Sequence, residues 1–201
     1  MTELHFDPDN HAYIVNGKRV PCVSDIFRPL EHFGEINPEI IRQAARRGSL
    51  VHEYTELLDY GEPLESFEIE PEVLGYVQAY ANFLRDYGSP CWVYVEKPLY
   101  SEEHGFAGTL DRYGYLDDQL TIVDIKTSSA VNRLTKILWA AKLYAYRVLI
   151  GEDARRVNLL LMKDGKYRLY DAEHTEAKYN VSSADLFSHL LAVNKLIGGY
   201  K

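Results

Sequence analysis

Apolar positions alternate with period two in some stretches of this chain and recur with helical period in others, with turn residues between them. Residues 5–15 and 18–20 read as strands flanking Asn16-Gly17, a strong hairpin signal, and Ser24 reads as the cap of a short helix. Asn37-Pro38-Glu39 opens a helix expected to run to Leu58, with Asn at the cap and Pro in the first turn. Gly48 falls inside it, at a cost of about 1 kcal/mol relative to Ala, which points to a close approach of backbone or ligand. His52 follows one turn later on the same face. After Pro71, helical period is kept by Val73, Val77, Tyr80, Leu84 and Tyr87 until Gly88-Ser89-Pro90 ends the pattern.

Three strands are expected next, at 92–100, 106–115 and 120–127. Beyond Ser128-Ser129 a long helix carries Leu134, Ile137, Leu138, Ala141, Ala145 and Val148 on one stripe and stops near Gly151. Residues 157–162 and 167–170 form a further hairpin around Asp164-Gly165. Ser182 or Ser183 caps a last helix that ends near Gly198-Gly199. The order of elements predicts an α/β fold with a mixed central sheet flanked by helices and a small β-hairpin appendage at the N-terminus.

The strands on either side of Asp117-Asp118 carry the chemistry. If the loop is even and centred on that pair, Asp111 faces Asp124 across the hairpin, at roughly 4.5 to 5.5 Å between Cβ atoms. Two carboxylates so placed repel, and a divalent cation offsets the cost. Lys126 shares the face of Asp124, while Val123 and Ile125 point to the opposite face and read as core.

Composition narrows the picture. The 201 residues, 46% of them hydrophobic, suffice for one core, so a single domain is expected, with residues 1–36 as the appendage and 37–201 as the main body. No signal peptide or membrane span is apparent, and Cys22 and Cys91 stand apart without partners at metal-ligand spacing, which excludes a zinc module or disulfide framework and implies a reducing, cytoplasmic setting. The net charge of −8 argues against nucleic acid until its distribution is considered. Between Lys126 and Arg168 there are ten Lys/Arg against three Asp/Glu, a local +7 that leaves −15 elsewhere.

Four motifs in order, Gly48-Ser49-Leu50-Val51-His52, Glu96, Gly108-Thr109-Leu110-Asp111 and Asp124-Ile125-Lys126-Thr127, resemble the PD-(D/E)XK nucleases, in particular the RecB-like and phage-type exonuclease branch. The resemblance implies a restriction-endonuclease-like core and a Mg²⁺- or Mn²⁺-dependent deoxyribonuclease acting at DNA ends, in phage or prophage recombination or DNA repair, alongside recombination or replication proteins. It also implies metal ligation by His52, Asp111, Asp124 and the carbonyl of Ile125, with Lys126 orienting water and stabilising charge. Glu96 would be an outer ligand, a second-metal ligand or a water-positioning carboxylate. The cysteine count excludes the iron-sulfur variants. The family's Gln-x-x-x-Tyr has no Gln here: Tyr144 is preceded by Ala140, and the shifted register gives Lys142 and Tyr146. On a helical wheel Arg133, Lys136 and Arg147 surround Ala140, so these cations are the candidate contacts to the DNA backbone, with Tyr144 a candidate for stacking on bases. A nucleic-acid-binding or assembly protein without turnover, and an endonuclease or junction resolvase, are the alternative readings.

Overall fold

The computed structural model describes residues 2–8, 10–31, 37–66, 68–128 and 131–197. Ser129 and Gly198-Gly199, which figure in the sequence expectations, lie outside them.

The N-terminal appendage is a three-stranded antiparallel sheet of β1 (Leu4–Asp7), β2 (Ala12–Val15) and β3 (Lys18–Val20). The single strand expected over 5–15 is broken by a turn, because the Asp7 carboxylate accepts from the backbone and side-chain amides of Asn10. Asn16 and Gly17 both have positive φ, as the β2–β3 turn requires. In helix α1 (Val23–Phe27) the cap is Cys22 and not Ser24, since buried Asp25 reaches back to the Cys22 amide at 3.2 Å. The appendage is tied to the main sheet by the Ala107 amide, which donates to the Pro21 carbonyl, and by a 2.7 Å hydrogen bond between the Tyr13 and Thr109 hydroxyls.

Two helices follow, α2 (Pro38–Asp59), capped by Asn37, and α3 (Leu74–Asp86). The main sheet is mixed, with β4 (Cys91–Ser101), β5 (Phe106–Leu116), β6 (Gln119–Lys126), β7 (Arg155–Leu161) and β8 (Tyr167–Asp171) side by side in chain order. Only the β6–β7 pair is parallel, and α4 (Arg133–Ile150) makes that crossover before ending at Gly151 in the left-handed region. Two more helices follow among the described residues: α5 (Ala172–Tyr179), which the sequence reading missed, and α6 (Ser183–Ile197). The signal for α5 was Asp171, whose carboxylate caps the amides of Glu173 and His174. Among the described residues no helix is long and apolar enough to cross a membrane.

The sheet is covered on both faces, so β6 divides its side chains as period two dictates. Val123 and Ile125 pack against Val51 of α2 and Val77, Tyr80 and Phe83 of α3. Ile122 packs on the other side with Ala140 and Leu143 of α4. Helix α4 is itself buried from two directions, by the sheet and by Phe187, Leu190 and Leu191 of α6. Its apolar stripe is therefore wider than expected, taking in Trp139, Ala140 and Leu143, while Leu134 in the first turn is half exposed.

Close backbone approaches fix the edge of the sheet. A Cβ on Gly114 would lie 2.1 Å from the Cys91 carbonyl oxygen and 2.7 Å from the Trp92 Cα, next to the register shift between Trp92 and Tyr94. Gly114→Ala should therefore lower stability by about 2 kcal/mol, read as a lower urea midpoint at unchanged slope. An unchanged midpoint would mean that β4 can yield there.

Candidate metal centre

The β5–β6 hairpin places the first acidic pair. Its turn is Asp117-Asp118, both at positive φ, and its register runs from Leu116↔Gln119 to Arg112↔Val123. The even loop read from the sequence is thus present. The ladder stops at Arg112↔Val123, and in place of a further backbone pairing the Asp111 carboxylate accepts from the Ile125 amide at 2.6 Å. Ile125 thus meets Asp111 through its N–H. Asp124 follows Val123 on β6, and its carboxylate pairs with the Lys126 ammonium at 2.6 Å.

Helix α2 and strand β4 supply the other two groups. His52 Nδ1 lies 2.9 Å from Glu96 Oε1, and His52 Nε2 lies 3.8 Å from Asp111 Oδ2. One ligand atom from each of His52, Glu96 and Asp111 falls within 4.8 Å of the other two, a spacing that one cation can bridge. Glu96 has φ 44°, a left-handed conformation within a strand, between the regular pairs Val95↔Arg112 and Lys97↔Leu110. Such backbone costs on the order of 1–3 kcal/mol in a non-glycine residue and persists only where the surroundings enforce it.

Arg112 enforces it. Its guanidinium is 0% exposed and pairs with Asp59, whose side chain is 1% exposed, and with Glu96 at 2.7 Å. It also donates to the Asp111 carbonyl and the Thr55 hydroxyl and lies over the Tyr80 ring. Asp59 in turn accepts from Tyr80 and Trp92, so the ion pair has no idle oxygen. The sequence reading missed this network. Its signal was an arginine next to Asp111 in a strand otherwise lined by buried side chains, a position that demands an acid elsewhere.

The electrostatics follow from crowding. Burial raises the Asp111 carboxyl and His52 opposes that rise, but the like charges of Asp124 and Glu96 add to it and leave the pKa at about 7. Burial disfavours a charge on His52, yet Asp111 and Glu96 outweigh it and raise the imidazole to about 9. Burial works against Glu96 too, where His52 and then Arg112 hold the carboxyl below its ordinary value. Lys126 is buried against its own charge, and Asp124 and Asp111 restore it, holding the ammonium above the ordinary lysine value.

These residues line one cleft of about 530 Å³, with Gly48, Ser49, Glu53 and Glu56 of α2 on one side and Phe6, Pro8, His11 and Tyr13 of the appendage on another. A Cβ on Gly48 would meet no protein atom within 4 Å, so no backbone approach explains that glycine, and the space it leaves opens into the cleft.

The proposed backbone contacts on α4 do not converge. Ala140 is buried against Leu110 and Ile122, and Tyr144 packs on Phe187 and beneath Arg147, away from the metal centre. Tyr146, from the shifted register, is the α4 tyrosine that lines the cleft, and its partner position, Lys142, is tied to Glu31. Burial and then Asp124 and Asp111 raise the Tyr146 phenol well above its ordinary pKa. Arg133 and Arg147 share a sector of the wheel but stand about 21 Å apart along the axis, and Arg147 is paired with Asp153. Arg133 lies over the Tyr179 ring and Lys136 over Tyr170.

No family model and no curated protein matches the chain. Among solved structures it is similar to the crystal structure of SSO0001, with 16% identity over 77% of this chain and 71% of that one and a TM-score of 0.37. A likeness at that level carries no argument about activity.

Removal of Arg112 leaves the Asp59 carboxylate, whose side chain is 1% exposed, without its cation and leaves Glu96 with His52 alone. Arg112→Met should cost about 3–5 kcal/mol in urea unfolding, and Arg112→Lys should recover only part of it, because an ammonium cannot fork between two carboxylates. A loss below about 1 kcal/mol in Arg112→Met would show that the pair is dispensable.

Proposed function

We propose that this chain is a divalent-metal-dependent deoxyribonuclease of the PD-(D/E)XK kind, hydrolysing phosphodiester bonds at DNA ends. The observation that carries this reading is the convergence of His52, Glu96 and Asp111 within 4.8 Å, in the cleft that also receives Asp124 and Lys126. His52, Glu96 and Asp111 come from α2, β4 and β5, and each belongs to one of the motifs on which the resemblance rests.

The donor set fits the cation. Carboxylate oxygens suit Mg²⁺, and an imidazole beside them suits Mn²⁺ somewhat better. His52, Glu96 and Asp111 would hold it, with Asp124 next to them on the β6 side. When bound, the metal supplies Lewis-acid polarisation of a phosphate oxygen and a more acidic water. The residues do the positioning: the Ile125 amide fixes Asp111, Arg112 fixes Glu96, and Asp124 fixes Lys126. The Lys126 ammonium then stands in the cleft as a preorganised positive charge toward oxygens that gain negative charge in the transition state. The cleft also holds the carboxylates of Glu53, Glu56, Glu96, Asp111 and Asp124, so a phosphodiester enters it only with a countercharge.

Action at ends is favoured by the wall that Phe6, His11 and Tyr13 build across one side of the cleft, where their rings pack 4.7 to 5.9 Å apart. DNA recombination or repair is the setting that the resemblance implies, with recombination or replication proteins as partners. The free thiols of Cys22 and Cys91 agree with a reducing, cytoplasmic location.

End-labelled linear DNA should be degraded with Mg²⁺ or Mn²⁺ and spared with chelator, while a closed circle stays intact. Lys126→Ala should slow degradation by about 10²–10³-fold without loss of folding. Cleavage of the circle at the same rate would make the protein an endonuclease, and binding of metal and DNA without cleavage would make it a binding protein. Mn²⁺ should also raise the melting temperature, by the equivalent of about 2.7 kcal/mol at a hundredfold excess over its dissociation constant. Asp111→Asn and Glu96→Gln should abolish that rise, and Asp111→Asn alone should melt no lower than wild type, because it removes like-charge repulsion.

A further inference from the structure

The ten cations between Lys126 and Arg168 are divided by the fold. Six are held in ion pairs with carboxylates. The other four, Arg133, Lys136, Lys163 and Arg168, have no carboxylate partner among the described residues. Three of these four line a single groove of about 550 Å³.

The groove lies outside the metal cleft but starts beside it. Ser128, two residues and at most about 7 Å of chain beyond Lys126, is part of its lining. Its floor carries Tyr170, under the Lys136 ammonium at 4.9 Å, and its one acid, Asp164, is engaged by Lys166 at 3.0 Å. The charge on its walls is therefore positive and unspent, in a protein whose net charge is −8.

The groove is also preformed. A Cβ on Gly75 would lie 1.9 Å from the Lys163 carbonyl oxygen, so the first turn of α3 is pressed against the β7–β8 turn. The Asn82 side chain donates to the Gly165 carbonyl at 2.9 Å and clamps the same turn. Lys163 thus sits on a held turn and Arg168 on strand β8 next to it, so little backbone ordering is lost when they meet a ligand.

We propose that this groove binds the phosphodiester backbone of the nucleic-acid strand whose end occupies the metal centre. The proposal rests on the nuclease reading for the strand's position. The acidic cleft repels the strand except at the cation, and affinity must come from cations elsewhere. Lys136, Lys163 and Arg168 supply it through phosphate contacts that carry no sequence information, and the tyrosine rings offer faces for bases or sugars.

The test is anisotropy of a fluorescent DNA oligonucleotide over a salt series, in chelator so that nothing is cleaved. Wild type is compared with Lys163→Glu/Arg168→Glu and with Lys18→Glu/Lys195→Glu, an equal charge change at exposed positions outside the groove. The groove variant should bind roughly tenfold or more weakly and lose about 1.4–1.8 from the slope of log K against log salt, two phosphate contacts' worth, while the control keeps the wild-type slope. All three should hydrolyse bis(4-nitrophenyl) phosphate with Mn²⁺ at one rate, since that ester is too small to reach the groove. Equal DNA binding by the groove variant and the control overturns the groove while ester hydrolysis leaves the nuclease reading standing. Groove-dependent DNA binding without hydrolysis of ester or DNA supports the groove and removes the nuclease. Groove-dependent binding of polyglutamate in the absence of DNA binding overturns the proposal in favour of an acidic protein partner.

Discussion

A guanidinium taken wholly out of water constrains everything around it. Arg112 is such a group, and taking its charge out of water costs several kcal/mol, so each of its donors must be met. Asp59 and Thr55 come from α2, Tyr80 from α3 and Glu96 from β4, while Arg112 itself belongs to β5. One side chain thereby fixes two helices and two strands relative to each other. The same carboxylate oxygen of Glu96 that receives Arg112 also receives His52, so the network behind the sheet sets the geometry in front of it. The left-handed backbone of Glu96 is the strain this arrangement stores.

The proposed metal centre is built against stability. Asp111 and Asp124 lie side by side where two β-strands end their pairing, and the Ile125 amide and the Lys126 ammonium offset only part of the repulsion. In the proposed reading, a divalent cation offsets the residual cost. Beyond the cleft the fold sorts charge by place: acids line the cleft, six of the ten cations between Lys126 and Arg168 are held in ion pairs, and three of the other four line the groove beside the β7–β8 turn. A negatively charged protein can in this way present a positive path to a polyanion.

Much of this was legible in the sequence because short-range rules carried it. Asp117-Asp118 fixes an even turn, and period two then assigns Asp111, Asp124 and Lys126 to the site and Val123 and Ile125 to the core. Asn37-Pro38 and Gly151 likewise mark the ends of their helices through cap chemistry. What failed was of two kinds. Long-range pairings leave no local trace: Asp59 and Arg112 are 53 residues apart, and nothing near Glu96 announces a positive φ. A helical wheel, for its part, discards the axial coordinate, so it grouped Arg133 with Arg147, and the motif alignment put Tyr144 first although Tyr146 is the one that lines the cleft. The α5 helix was missed because its start, Asp171, also ends a strand.

The central claim is that His52, Glu96 and Asp111 bind one divalent cation, and anomalous diffraction from crystals grown with Mn²⁺ tests it most directly. The account predicts a manganese peak with ligand atoms of all three residues at about 2 Å, and the direct contact between His52 and Glu96 replaced by bonds to the metal. A site without a peak at saturating Mn²⁺, with the His52–Glu96 hydrogen bond intact, would contradict it.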